Sequence, residues 1–160
     1  MKDYIGLDLD GTICNYNAHG VEIRTNSALL EMLPPKSLIA IISNQGGLPH
    51  GRIEAAQVVR RMAAACMFLA QAGPLVVGIY ASVFHPTATA GQVRSAERSL
   101  RYRATQSGLP LSVFSTARSR KPSPYLLRHT QITAYYGDSP EDADAAKAAG
   151  IPFVRVKRFE

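Results

Sequence analysis

A chain of 160 residues, 46% apolar and 19% charged, has material for one domain with a single core and too little for two. Its two cysteines, Cys14 and Cys66, exclude a disulfide framework and a cysteine-based zinc site. The formal net charge of +6 suits an anionic partner, although a balance of that size also occurs in proteins that bind none.

The chain opens Met1-Lys2-Asp3 with no apolar signal segment. The most apolar stretch, Met62 to Ala70, is broken by Gln71, Gly73 and Pro74 before membrane-spanning length. A soluble, cytoplasmic protein is expected. Ile5, Leu7 and Leu9 form a short β-prone run that stops at Gly11, and it carries Asp8 and Asp10. A strand period of two would start these two carboxylates on the same side. Burying like charges so close is unfavourable unless a cation or a proton offsets them.

From Thr12 to Arg24 the sequence is polar, with Asn15, Asn17 and Gly20, and reads as a loop or hairpin flap over the strand end. Thr25 or Asn26 would cap a short helix bearing Leu29, Leu30 and Leu33, stopped by Pro34-Pro35. Leu38 to Ile42 is apolar at every position, the mark of a parallel strand covered on both faces, and ends in Ser43-Asn44-Gln45-Gly46-Gly47. The spacing of Ile53, Ala56, Val59, Ala63, Cys66, Met67 and Ala70 predicts a helix over 52–72. A strand is expected over 75–84, a helix over about 92–105 and a β-prone run over 111–114. A helix over 124–130, a strand over 132–136, an alanine-rich helix over 141–149 and a last strand over 152–156 complete the chain. Strands alternating with helices predict a single-domain α/β fold with a doubly wound, Rossmann-like parallel sheet, whose ligands bind outside the carboxyl ends of the strands. The segment 85–120 interrupts the rhythm as a basic helical excursion, and the sequence leaves open whether Leu111–Phe114 joins the main sheet.

Three polar clusters follow predicted strands: Asp8/Asp10, Ser43-Asn44 and Gly137-Asp138. Lys121-Pro122 precedes a predicted helix. Carboxylates on neighbouring strand ends suit a hard cation such as Mg²⁺. A hydroxyl and amides at Ser43-Asn44, with the Lys121 ammonium, suit phosphate oxygens. One aspartate could then attack phosphorus while the other exchanges a proton with the leaving group and with water.

Asp8-Leu9-Asp10-Gly11-Thr12 resembles the DxDGT signature of the haloacid dehalogenase-like (HAD) phosphohydrolases. Ser43-Asn44-Gln45-Gly46 is similar to the second motif in one subgroup, Arg120-Lys121-Pro122-Ser123-Pro124 to that subgroup's RKPxP, and Gly137-Asp138-Ser139-Pro140-Glu141-Asp142 to the terminal GDxxxD. The motif order matches, and the resemblance covers nearly all of the chain except about 85–118. It implies a Mg²⁺-dependent phosphatase in which Asp8 is the nucleophile and forms an aspartyl-phosphate. Asp10 would be general acid and base, with its backbone carbonyl on the metal. Asp8 and Asp138 would be the metal's carboxylate ligands. Ser43, Asn44 and Lys121 would hold the phosphoryl group, with Thr12 in support and Asp142 steadying Lys121 or a metal-bound water. A carboxylate in the first turn of a helix is the other reading of Asp142. Only about a dozen residues separate Thr12 from Thr25, so the resemblance is to members without a large cap domain.

That subgroup includes polynucleotide 3′-phosphatases, histidinol phosphatase and sugar-bisphosphate phosphatases. The last two usually carry a Cys/His zinc loop before the lysine motif, which this chain lacks. Between His85 and Thr130 eight basic residues face Glu97 alone, so this stretch holds the chain's positive excess. Arg94, Arg98 and Arg101 would form one helical stripe, with Tyr102 beside it able to stack on a base. A phosphorylated nucleotide or nucleic-acid end is therefore the favoured substrate, and a small sugar phosphate the alternative. The stripe reads equally as a solvated face, and Tyr16 and His19 in the flap are further possible substrate contacts. A non-catalytic phosphate- or nucleic-acid-binding domain is the rival of another class; it would have no use for a nucleophile.

Overall fold

Apolar residues at every position from Leu38 to Ile42 put Leu38–Asn44 (β2) at the centre of a sheet, buried on both faces. The structure, a computed structural model, describes residues 3–16 and 22–160. Tyr4–Leu7 (β1) runs parallel to β2 and to Ala134–Gly137 (β5); Leu75–Ser82 (β3), Leu111–Phe114 (β4) and Phe153–Arg155 (β6) complete six strands in the order β4-β3-β2-β1-β5-β6. All the pairings are parallel.

The alternation along β2 divides the core in two. Ile39 and Ile41 face a cluster with Ile5 and Leu7, covered by Ser27–Met32 (α1), Ala55–Ala72 (α2) and Ala90–Ser107 (α3) through Leu29, Met62, Leu69 and Leu100. Ala40 and Ile42 face the other side, where Tyr125–Thr130 (α4) and Pro140–Ala149 (α5) contribute Leu126, Leu127, Ala145 and Ala146. Helices on both faces make the sheet doubly wound, as expected.

Four local expectations change. β1 ends at Leu7, because the chain turns at once: the amides of Thr12, Ile13 and Cys14 all donate to the Leu9 carbonyl. Asp8 and Asp10 are therefore not neighbours on one strand face. The second helix starts at Ala55 rather than Arg52, since Glu54 and Gln57 form a reciprocal capping box there. Asn26 occupies the α1 N-cap without a side-chain capping bond; its Nδ2 instead donates to the Thr12 carbonyl. Segment 85–120 is no excursion: α3 is the crossover from β3 to β4, and β4 pairs with β3 as the edge strand.

Candidate active site

Because all strands run the same way, Asp8, Asn44 and Asp138 come to one edge of the sheet, as the strand-end rule requires. Lys121 reaches that edge from the loop before α4. Four oxygens surround its buried ammonium: Asp142 Oδ1 at 2.6 Å, Tyr135 OH at 2.7 Å, Asp8 Oδ1 at 3.0 Å and the Ile42 carbonyl at 3.2 Å. Its main chain is clamped as well. Asn44 Nδ2 donates to the Lys121 carbonyl at 3.1 Å, and the Lys121 amide donates to Asn44 Oδ1 at 3.0 Å.

Asp142 unites the two roles considered for it. As the third residue of α5 it closes a capping box: its amide donates to Ser139 Oγ at 3.2 Å, while its Oδ2 accepts from the Ser139 amide at 3.2 Å and hydroxyl at 2.9 Å. Its Oδ1 holds Lys121.

Electrostatics follow from burial. Desolvation alone would pull the Lys121 ammonium down, but Asp8, Tyr135 and Asp142 together outweigh it and hold it well above the usual lysine range. Asp142 is held below the usual carboxylate range: burial opposes this, but Lys121 and the Ser139 hydrogen bonds prevail. Asp8 goes the other way. Burial, reinforced by Asp142 and Asp138 and opposed by Lys121, pushes it well above that range. Burial is the main cause of the rise at Asp8, and Lys121, shared with Asp142, only partly offsets it.

Asp138 closes the acidic group. Its Oδ1 accepts from Thr12 Oγ1 at 3.3 Å and its Oδ2 from Arg158 Nε at 2.8 Å. Gly11, with φ +83°, lets the loop pass directly over it: a Cβ there would stand 2.4 Å from Asp138 Oδ2. Asp8, Asp138 and Asp142 each bring a carboxylate oxygen within 4.8 Å of the others. Asp142 is fixed by the buried Lys121 and by its own helix cap, whereas Asp138 is held only by a 3.3 Å contact from Thr12 and by the part-exposed Arg158, so Asp8 and Asp138 are the better pair for a metal. No main-chain donor among the described residues reaches the Asp10 carbonyl. An all-oxygen set around the buried Asp8 fits a hard divalent cation such as Mg²⁺.

Asp10 is held apart from Asp8 by partners of its own. Arg61 reaches its Oδ1 through Nε at 2.9 Å and Nη2 at 2.8 Å, and Gln45 Nε2 donates to its Oδ2 at 2.9 Å. The same Gln45 amide donates to Ser43 Oγ at 2.7 Å. Sequence reasoning missed Arg61, although a signal existed: it falls on the apolar stripe of α2 between Val58 and Ala65, where an unpaired charge would not be tolerated. Tyr135 was also missed, as nothing separates it from the other strand aromatics.

A cleft of about 440 Å³ opens over this group. Asp8, Asp10, Asn44, Lys121, Asp138 and Asp142 all line it, as does Tyr16, whose ring lies 4.3 Å beneath the Arg158 guanidinium. Ser43 does not line it; its hydroxyl is buried one layer down, on Gln45. Gln45, Gly46, Gly47, Arg52, His85, Arg120 and Arg158 do line it, and only Gln45, Gly46 and Arg120 stood inside a motif. Arg94, Arg98 and Arg101 are exposed on α3 and do not line the cleft. α3 runs away from the strand ends, and Arg101 is drawn to the Val113 carbonyl at 3.0 Å and Glu97 at 3.7 Å. Tyr102 is exposed beside them. His19 lies outside the described residues.

No protein-family model matches the chain, and no curated protein does. Solved structures do. A HAD-like phosphatase candidate from Mesorhizobium loti superposes with a TM-score of 0.66 at 18% identity, over 94% of this chain and 69% of that one. D,D-heptose 1,7-bisphosphate phosphatase from B. bronchiseptica, complexed with magnesium and phosphate, gives 0.64 at 20% identity, over 94% and 78%. The fold is therefore that of the HAD-like phosphatases. No helix among the described residues is long and apolar enough to cross a membrane.

Proposed function

We propose that the protein is a Mg²⁺-dependent phosphomonoesterase that works through an aspartyl-phosphate on Asp8. The observation that carries this reading is the buried Lys121, shared between Asp8 and Asp142 at the floor of an open cleft with Asp138 alongside. A structural ion pair would be satisfied with one carboxylate. Here one ammonium is shared by two carboxylates with a third alongside, and Asp8 faces the cleft, which is how a nucleophile that receives a cation and an anionic phosphoryl group would be arranged.

Asp8 and Asp138, with the Asp10 carbonyl, would hold the Mg²⁺. When bound, the cation would offset repulsion between the nucleophile and the phosphoryl oxygens. Lys121 orients Asp8 and neutralises a phosphoryl oxygen, and the amides of Asn44, Gly46 and Gly47 would supply further donors, that of Gln45 being held by the Ser82 carbonyl. An Asp8 oxygen forms a bond to phosphorus as the ester P–O bond breaks, and Asp10 passes a proton to the departing alkoxide. In the second half Asp10 takes a proton from water, which attacks the phosphorus and frees Asp8 and inorganic phosphate. Arg61 and Gln45 hold Asp10 toward the cleft for both transfers.

The cleft volume lies within the range of small-ligand sites, and the α3 arginines stand away from it, so a small phosphorylated molecule is the substrate class we favour. A nucleic-acid end is the second reading, supported by exposed Tyr102 beside the arginine face of α3. The test is release of inorganic phosphate with Mg²⁺ from p-nitrophenyl phosphate, sugar phosphates, nucleotides and 3′-phosphorylated oligonucleotides. Turnover abolished by chelation and restored by Mg²⁺ supports the phosphatase; no turnover of any ester by folded protein rejects it. Cleavage confined to oligonucleotides, lost with Arg94, Arg98 and Arg101 changed to Ala, would favour the nucleic-acid reading.

A further inference from the structure

Residues 156–160 follow β6 and run back over the two loops that carry the acidic group. The Val156 amide donates to the Gly137 carbonyl at 2.8 Å, and the Phe159 amide to the Gly11 carbonyl at 2.9 Å. The Phe159 carbonyl in turn accepts from the Tyr16 amide at 2.6 Å, and the Arg24 guanidinium lies 5.4 Å over the Phe159 ring. The segment is thus fastened through its main chain beside Asp138 at one end and beside Asp10 at the other.

Arg158 sits between those fastenings. Its Nε donates to Asp138 Oδ2 at 2.8 Å and its guanidinium lies 4.3 Å from the Tyr16 ring, so the side chain is held although part-exposed. The mechanism above gives it no task. Lys121 is shared by Asp8 and Asp142, and Arg61 is taken up by Asp10, so among the described residues Arg158 is the cation paired with Asp138. Arg52, Arg120 and Glu141 also line the cleft, but none of them pairs with a member of this cluster. Three carboxylates, Asp8, Asp138 and Asp142, therefore face two cations, Lys121 and Arg158.

Charge decides what this arrangement does. With all five groups ionised the cluster has one negative charge in excess, and a divalent cation would turn that into one positive charge. Without Arg158 the same cation would leave the cluster neutral. A guanidinium on one ligand thus repels the cation, and it leaves the loaded site positive toward an incoming anion. We infer that Arg158 is a positioning residue that sets the charge of the metal site. It fixes Asp138, weakens the hold on a divalent cation alone, and strengthens the hold on a phosphoryl anion once that cation is bound. The site then favours cation and anion together over the cation by itself. The inference rests on the proposed metal site at Asp8 and Asp138, but both effects are read as binding and need no turnover.

The test is calorimetric titration of Mg²⁺ into the wild-type protein and Arg158→Gln, followed by inorganic phosphate into each at saturating Mg²⁺. Glutamine keeps an N–H donor for Asp138 and removes the charge. Arg158→Gln should bind Mg²⁺ about threefold or more tightly, and its Mg²⁺-loaded form should bind phosphate about threefold or more weakly. Arg158→Lys, which keeps the charge and gives up the planar contact with Tyr16, should move either constant by less than about twofold. Shifts of opposite sign separate charge from a loosened fold, which would weaken both ligands. Either shift missing or reversed overturns the inference, as does a lysine variant that behaves like the glutamine one. Loss of the thermal transition in Arg158→Gln overturns it too, since Arg158 would then serve the fold. Wild-type protein that binds no Mg²⁺ overturns the metal site and this inference with it. Both shifts in a protein that hydrolyses no ester would uphold the inference and overturn the proposed activity.

Discussion

Asn44 and Lys121 are joined at both ends of one carboxamide, the side chain of the first accepting from and donating to the main chain of the second at 3.0 and 3.1 Å. The bond pair crosses 77 residues of sequence and ties the end of β2 to the loop before α4. The Asn44 side chain thus places the lysine, while the group expected to touch phosphate is its main-chain amide. Asn44→Ala should lower kcat by about tenfold or more and cost roughly 1–3 kcal/mol, since it strands a main-chain donor and acceptor. Thermal melts and steady-state kinetics measure both; an unchanged kcat would show that Lys121 is placed without the clamp.

Asp142 is the stronger of the two anchors of Lys121 by distance, 2.6 against 3.0 Å. Asp142→Asn keeps the shape and removes the charge, leaving the buried ammonium on Asp8 alone. About 3–5 kcal/mol of stability should be lost, as for other buried pairs broken on one side. Turnover should fall with it, since Lys121 then leans further onto Asp8, the proposed nucleophile. A denaturant midpoint equal to wild type would contradict this.

Arg61 carries Asp10 from the far side of the loop, and its guanidinium also donates to the Asn15 carbonyl. Arg61→Met fills the apolar stripe of α2 but frees Asp10. The transition should fall by several degrees, given about 2–4 °C per kcal/mol for a domain of this size. The leaving group should also decide the kinetic effect: esters with poor leaving groups should suffer more than p-nitrophenyl phosphate, because in the proposed mechanism Asp10 would protonate the former. Equal losses on both would show that Arg61 acts on the fold alone.

The fold was largely legible because periodicity and strand-end chemistry are local. The apolar run of β2 announced burial on both faces, and the spacing of the four motifs announced the edge where they meet. What escaped were relationships across the sheet. Burial of Arg61 depends on which face of α2 turns to the loop after β1, and the aim of Tyr135 at Lys121 depends on the pairing of β1 with β5. The arginine stripe of α3 was visible in the spacing, but its absence from the cleft lining was not, because that depends on how α3 packs against the sheet. The turn after Leu7 separated Asp8 from Asp10, where a longer strand would have held them together.

Cys14 gives a pH-dependent check on the packing under that turn. Its thiol is buried beside Arg61, and burial pushes it from 9.0 up to about 12. Between those values the unfolded chain has lost a proton that the folded chain keeps, so stability should decline as pH rises from about 9 to about 12. Cys14→Ala should flatten that decline, and iodoacetamide should label Cys66 well before Cys14 in native protein. Rapid labelling of Cys14 at neutral pH would show that the loop is open.

The central claim is that Asp8 accepts the phosphoryl group. Rapid-quench mass spectrometry of the wild-type protein with Mg²⁺ and a hydrolysed ester should find the peptide containing Asp8 heavier by one phosphoryl group during turnover. The Asp8→Asn variant, folded by its thermal transition, should show neither that adduct nor phosphate release. Turnover that persists in Asp8→Asn, or an adduct on any other residue, would contradict the account.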